Sequence, residues 1–244
     1  HCCAYSSESG QAYCWGGNHR GQAGRETAGG QNTLLRNPQN VRPGTPEGIR
    51  NMALGRSHSC ALVENGGQPA GVYCWGDHEF GQLGVGGGLS ATHTPQRALE
   101  QALPFAIAAG DDHTCALEQA GQGLPFMACW GRNALGVAGQ PGGPATLTEP
   151  TPIRHAGLNV LPEPHQLAAN DVLTCAIVDQ RIACFGLNQA ELIRPQGVPE
   201  ITRLSMSDTL GCGTTPDEHD VLCWGITDDP QAPAGAIESY PPDP

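Results

Sequence analysis

His58-Ser59-Cys60-Ala61-Leu62 and, with its cysteine fourteen residues further on, Cys74-Trp75-Gly76 are the two halves of a phrase that recurs five times. The first half returns as His1-Cys2-Cys3-Ala4, His113-Thr114-Cys115-Ala116-Leu117, Leu173-Thr174-Cys175-Ala176-Ile177 and Leu210-Gly211-Cys212-Gly213. The second returns as Cys14-Trp15-Gly16, Cys129-Trp130-Gly131, Cys184-Phe185-Gly186 and Cys223-Trp224-Gly225, which uses all four tryptophans of the protein. Turn residues between the halves, as in Glu64-Asn65-Gly66-Gly67, mark each phrase as a hairpin.

Working outward, a Pro-Gln step follows at Pro38-Gln39, Pro95-Gln96, Pro195-Gln196 and Pro230-Gln231, with Pro152-Ile153 as the variant. A short apolar strand comes next: 49–54, 105–109, 165–169, 201–206 and 236–240. Gly55, Gly110, Asn170 and Ser207 close the first four of these, each five residues before the next cysteine. Four short strands in a unit of about 49 residues fit a propeller blade. The expected fold is an all-β propeller in one domain, 1–244, with repeats at approximately 1–55, 56–110, 111–170, 171–207 and 208–244. From the second cysteine to the proline of this step the chain runs 24, 21, 23, 11 and 7 residues, so only the first three repeats keep a long loop.

The phrase His-Thr-Cys-Ala-Leu, a turn, Cys-Trp-Gly-x-Asn-x-x-Gly-Gln-Leu-Gly, then Pro and an apolar strand ending in Gly resembles the repeat of the regulator of chromosome condensation family, in the cysteine-bearing form of bacterial secreted proteins. Repeats two and three match it best, four and five least. The resemblance implies a propeller usually closed by seven blades, where five repeats are counted. It does not choose a function, since the family includes nuclear exchange factors, a plant ultraviolet photoreceptor and a bacterial β-lactamase inhibitor.

Cysteines on adjacent strands of a hairpin fit cross-strand disulfides: Cys3 with Cys14, Cys60 with Cys74, Cys115 with Cys129, Cys175 with Cys184, and Cys212 with Cys223. Zinc is the competing reading, but spacings of 9 to 14 across a hairpin do not supply its short C-x₂₋₄-C pairs. Five bridges imply an oxidising compartment, so the chain is expected to be secreted, periplasmic or on the cell surface. Cys2 is left over as a candidate for intermolecular pairing.

The 244 residues include Gly 34, Pro 21 and Cys 11, a loop-rich profile, and no apolar run is long enough to span a membrane. A start at His1 reads as a processed or trimmed chain. All 12 basic residues are arginine, which removes P-loop, Schiff-base and Ser-Lys chemistry. With 24 acidic residues the formal charge is −12, which opposes nucleic acid and anionic lipid. From residue 200 onward nine acidic residues face one arginine, Arg203. His1, His58 and His113 share one slot; convergence on a metal is one reading, and hydrogen-bonded capping of each blade by its own histidine is the reading that repetition favours. The repeated tryptophans read as packing, so no photoreceptor chromophore is expected.

No catalytic residue, metal site or cofactor is expected, because no enzyme motif is present. The expected role is a non-catalytic protein-binding or scaffold module, its partner another protein or a second copy of the chain. The alternatives are a structural subunit of an extracellular assembly or filament, and a propeller enzyme using channel carboxylates. The long loops of repeats one to three supply the candidate contacts His19, Arg20, Arg25, His78, Glu79, Phe80, His93 and Arg132. For closure, strand 236–240 is expected to pair in the blade of Cys3 and Cys14, giving five closed blades; an arc of a seven-bladed ring is the rival.

Overall fold

The computed structural model describes residues 1–6, 8–26, 34–41, 48–65, 68–99, 103–119, 125–153, 166–178, 181–187, 200–208, 210–216, 220–225 and 238–240. Among these residues eighteen strands form five antiparallel sheets. The first sheet holds β1 (Cys2–Tyr5), β2 (Ala12–Gly17) and β3 (Leu34–Val41). The second runs β4 (Gly48–Leu54), β5 (His58–Asn65), β6 (Gln68–Asp77) and β7 (Ala91–Leu99). The third has β8 (Leu103–Ala109), β9 (His113–Gln119), β10 (Pro125–Arg132) and β11 (Thr146–Pro152). In the fourth lie β12 (Leu167–Ala169), β13 (Leu173–Val178) and β14 (Arg181–Gly186). The fifth has β15 (Arg203–Met206), β16 (Leu210–Thr214), β17 (Val221–Gly225) and β18 (Glu238–Tyr240). These sheets are the blades of an all-β propeller.

Each apolar strand heads the blade that follows it. Ala53 pairs with Cys60, Ala108 with Cys115, Ala168 with Cys175 and Ser205 with Cys212. The cause is local: Gly55, Gly110 and Asn170 donate backbone N–H bonds at 3.0 Å to the carbonyls of His58, His113 and Leu173, closing tight antiparallel turns. The apolar strands β4, β8, β12 and β15 pack on one another in sequence.

The five disulfides lie within hairpins, Cys3–Cys14, Cys60–Cys74, Cys115–Cys129, Cys175–Cys184 and Cys212–Cys223. Between blades, each of the first four bridges shares an apolar cluster with the aromatic ring of the next repeat. Cys14 clusters with Trp75, Cys60 and Cys74 with Trp130, Cys115 and Cys129 with Phe185, and Cys175 and Cys184 with Trp224. Trp75 and Trp130 are fully buried, so the ring in the Cys-Trp-Gly slot is the apolar adhesive between neighbouring sheets.

The expected closure is corrected. Glu238, Ser239 and Tyr240 pair with Cys223, Leu222 and Val221, so the last strand lies in the blade of Cys212 and Cys223. Glu238 takes the register that Gln39 holds opposite Cys14, Gln96 opposite Cys74 and Thr151 opposite Cys129. The open edge of β17 lies in the same blade and offers an unsatisfied ladder to the next extended segment, without a crossing to the far end of the array. Ala236 and Ile237, like Pro195-Gln196 and Pro230-Gln231, lie outside the described residues. Among the described residues β1 carries no fourth strand on its other edge, and no packing comparable to that between consecutive blades joins the fifth blade to the first.

Candidate functional site

The loops after β2, β6 and β10 keep one internal frame. Four residues past each second cysteine stands a buried polar side chain, Asn18, His78 or Asn133, that folds the loop on itself. Asn18 Oδ1 accepts from the Ala23 N–H at 2.9 Å, His78 Nδ1 from the Leu83 N–H at 3.1 Å, and Asn133 Oδ1 from the Ala138 N–H at 3.2 Å. His78 Nε2 also donates to the Gly86 carbonyl at 2.7 Å. His78 therefore leaves the set of candidate contacts: it is buried and both ring nitrogens are engaged by backbone. The fixed spacing from the cysteine was the available sequence signal for this slot.

Each loop is locked into the next blade by a relay through its own carbonyl. Trp75 Nε1 and Ser59 Oγ donate to the Gln22 carbonyl at 2.9 and 2.8 Å, and Trp130 Nε1 and Thr114 Oγ1 to that of Gln82 at 2.9 and 3.1 Å. Thr174 Oγ1 donates to the Val137 carbonyl at 2.9 Å, and Phe185 brings no indole there. Since each hydroxyl proton points at a carbonyl, the imidazole Nε2 of the preceding blade is the donor into that hydroxyl. His1 reaches Ser59 at 2.8 Å, His58 reaches Thr114 at 2.9 Å and His113 reaches Thr174 at 2.7 Å. The histidines thus cross to the next blade, correcting the expectation that each caps its own. Burial drops the His58 pKa to about 3, with the neighbouring His113 adding to the shift, and burial drops that of His113 to about 4. Both are neutral near pH 7, with the single ring proton on Nε2.

Arg20, Glu79, Phe80 and Arg132 form a line across the first two boundaries. The Arg20 guanidinium sits 3.7 Å from Asp77 and 3.5 Å from Glu79 of the second blade. One boundary on, Arg132 lies over the Phe80 ring at 5.2 Å and reaches Asp112 at 3.5 Å. His19 bonds Gln22 Nε2 at 3.2 Å and Ser57 Oγ at 3.4 Å. Arg25 and His93 stand apart from this line, together in a cleft of about 500 Å³ between the first loop and β7. At the turns that head blades three to five, Asp111, Asp171 and Asp208 follow the slot of Arg56. The Asp111 carboxyl is pushed up by partial burial and by Asp112, Asp171 and Asp208, with Arg56 opposing. Cys2 is free and exposed, in the register slot of Ser59 and Thr114 opposite a tryptophan. Among the described residues no group of three or more His, Cys, Asp or Glu converges as metal ligands.

Residues 9–62 and 70–117 match the model of the regulator of chromosome condensation (RCC1) repeat, and residues 49–82 match a second model of the same description. Human protein RCC2 is 28% identical over 143 residues, covering 55% of this chain and 26% of that protein. The probable E3 ubiquitin-protein ligase HERC4 of human is 33% identical over 112 residues, 45% of this chain and 10% of HERC4. Among solved structures, human WBSCR16 superposes with a TM-score of 0.73 at 21% identity, over 98% of this chain and 64% of that one. Prp20p of Saccharomyces cerevisiae, described with its binding to Gsp1p and histones, superposes with a TM-score of 0.64 at 18% identity, over 98% and 60%. The chain spans about a quarter or less of the length of these curated relatives and under two thirds of these solved chains. Residues 9–117 are thus matched as RCC1-like repeats, and the chain as a whole shares the fold of RCC1-like propellers.

Proposed function

We propose that this propeller is an exported, disulfide-stapled binding module without catalytic activity, which takes a protein partner on the loops of its first three blades. One observation carries the reading: those loops are pinned by buried polar anchors and blade-crossing relays, yet present non-repeating side chains, Arg20, Glu79, Phe80 and Arg132, on their outer side. A rigid frame with variable exposed contacts lowers the ordering cost of association. Phe80 under a guanidinium is the kind of anchor that interfaces centre on. Prp20p, a propeller of similar fold, is described with its binding properties to Gsp1p and histones, which supports a protein partner here. A net charge of −12 opposes histone-associated DNA here, so a nucleosomal role is not proposed. The test is affinity capture of a partner, then measurement with the purified pair. Joint alanine replacement of Arg20, Phe80 and Arg132 is expected to weaken binding at least about tenfold, and unchanged affinity would place the interface elsewhere.

Self-assembly is the second reading, favoured by the exposed free Cys2 on β1, an edge strand among the described residues. A dimer that disappears on reduction and in Cys2→Ser would support it; a monomer in both redox states would remove it.

A further inference from the structure

The first and second blade boundaries share a backbone plan but not a chemistry. At the second, the loop is stitched to the outer strand of the next blade by the Gly86 N–H bonding the Thr148 carbonyl at 3.0 Å, with Val85 and Glu149 alongside. The corresponding residues at the first boundary are Arg25 for Val85, Glu26 for Gly86, and His93 and Thr94 for Thr148 and Glu149. Among the described residues Glu26 makes no such stitch, and the boundary opens into a cleft of about 500 Å³ lined by Gly24, Arg25, Asn40, His93, Thr94 and Pro95.

We propose that this cleft is a binding site for an oxyanion, a carboxylate or phosphoryl group carried by the partner. Its walls are rich in hydrogen-bond donors: a guanidinium, an imidazole, a carboxamide and a hydroxyl. Among the described residues the Arg25 side chain has no acidic partner, whereas Arg20, Arg50 and Arg132 are each paired with a carboxylate. Its main chain is nevertheless fixed. Asn18 Nδ2 donates to the Arg25 carbonyl at 3.0 Å. Gly24, at φ +72°, sits against Val41, while Gly21, at φ +83°, leaves no room for a Cβ beside the His93 backbone. A guanidinium without an acidic partner among the described residues, carried on a fixed main chain beside an imidazole, is a cationic point in a chain of net charge −12, and its fork of N–H donors matches carboxylate or phosphate oxygens. Packing repeats from blade to blade, and this chemistry does not: Val85 and Glu149 replace it at the next boundary.

The inference deepens the binding-module reading by naming the ligand chemistry at one end of its loop face, and it can stand or fall separately because Phe80 and Arg132 lie at the other boundary. The experiment is a low-salt NMR titration of the isotope-labelled protein with hexaglutamate, with inorganic phosphate and with sodium chloride at matched ionic strength. Saturable shifts of the Arg25 and His93 resonances are expected with at least one oxyanion and not with chloride. Arg25→Ala is expected to weaken binding at least about tenfold, while Arg181→Ala, the same charge loss in the fourth blade, leaves it within about twofold. A response to hexaglutamate names a carboxylate, and a response to phosphate alone names a phosphoryl group. Absence of saturable shifts with both, or equal losses in the two variants, overturns the site, whatever the result at Phe80.

Discussion

Between the second and third blades the residue ahead of the first cysteine is Thr114, whose hydroxyl links His58 to the Gln82 carbonyl; between the fourth and fifth the same slot holds Gly211. A Cβ built there would lie 2.5 Å from the Trp224 ring, so the indole occupies the space a hydroxyl would need. The histidine slot has become Leu173, and Ile201 joins Trp224 in the apolar seam. Two polar contacts cross this boundary among the described residues, from Asn170 Nδ2 to the Ser207 carbonyl at 2.9 Å and from the Leu204 N–H to Gln166 Oε1 at 2.7 Å. The same sheet-to-sheet geometry is thus held in two ways: by a buried relay that also fixes a long loop, or by apolar packing where the loop is short. The relay belongs to the blades that carry the candidate contacts, because a loop can present side chains rigidly only if its own carbonyls are tied down.

The largest effect that would expose this difference is removal of the ring. Trp130→Ala deletes a fully buried indole and one relay bond and is expected to lower unfolding free energy by about 3–5 kcal/mol. Trp224→Ala, at a slightly exposed ring with no indole hydrogen bond among the described contacts, is expected to cost less in the same denaturant titration. Equal losses would mean that the relay adds nothing at the polar boundary. Installing the polar slot where it does not belong comes next. Gly211→Thr is expected to destabilise by about 1–3 kcal/mol through overlap with Trp224, and a stabilised variant would show that the fourth boundary had room for the relay.

Thr114→Val removes the hydroxyl while keeping the shape, stranding the His58 donor. A loss of about 1–2 kcal/mol is expected, visible as an earlier thermal transition. The relay should also make stability fall in acid. His58 and His113 titrate in the fold at about 3 and about 4, against 6.5 for an unperturbed imidazole. The unfolded chain therefore takes up protons first, and stability present above pH 6.5 is lost as pH drops from there towards 4. Replacing both by leucine, as at Leu173, is expected to flatten that limb of the melting-temperature profile, and an unchanged slope would assign it to carboxylates instead.

The smallest effect concerns Glu118, which replaces the buried Val63 of the preceding blade and has an unbonded Oε1 among the described contacts. Burial pushes its carboxyl from 4.5 up to about 7. Here the fold holds the proton more tightly, so stability is greatest below pH 4.5, declines as pH rises towards 7 and is flat above. Glu118→Gln is expected to stabilise by about 1 kcal/mol at pH 8 and to be neutral near pH 4.5. Circular-dichroism melts at the two pH values check it.

Much of this was legible before any coordinates. Alternation of cysteine and Trp-Gly phrases across a short turn names the hairpin and both halves of each disulfide, because those contacts lie within 9 to 14 residues and depend on strand and turn chemistry alone. The long loops and their glycines were visible as insertions of fixed position, and so was the absence of lysine.

The phase of the repeat was not legible. In a periodic chain every apolar strand has a cysteine strand on either side in sequence, and composition does not say which blade it joins; the three-residue turn at Gly55, Arg56 and Ser57 decides it. Nor does the sequence say that Glu238 faces Cys223 rather than closing on β1, since any open edge of matching register accepts an extended segment. His58 and Thr114 are 56 residues apart and His113 and Thr174 are 61, and only the stacking of one sheet on the next makes each pair a single hydrogen bond. The cleft of Arg25 and His93 arises in the same way, from a loop of one blade meeting the outer strand of another. Local pattern therefore determined the blade, while tertiary packing, which acts across repeats and can break their equivalence, decided the boundaries and what they offer to a ligand.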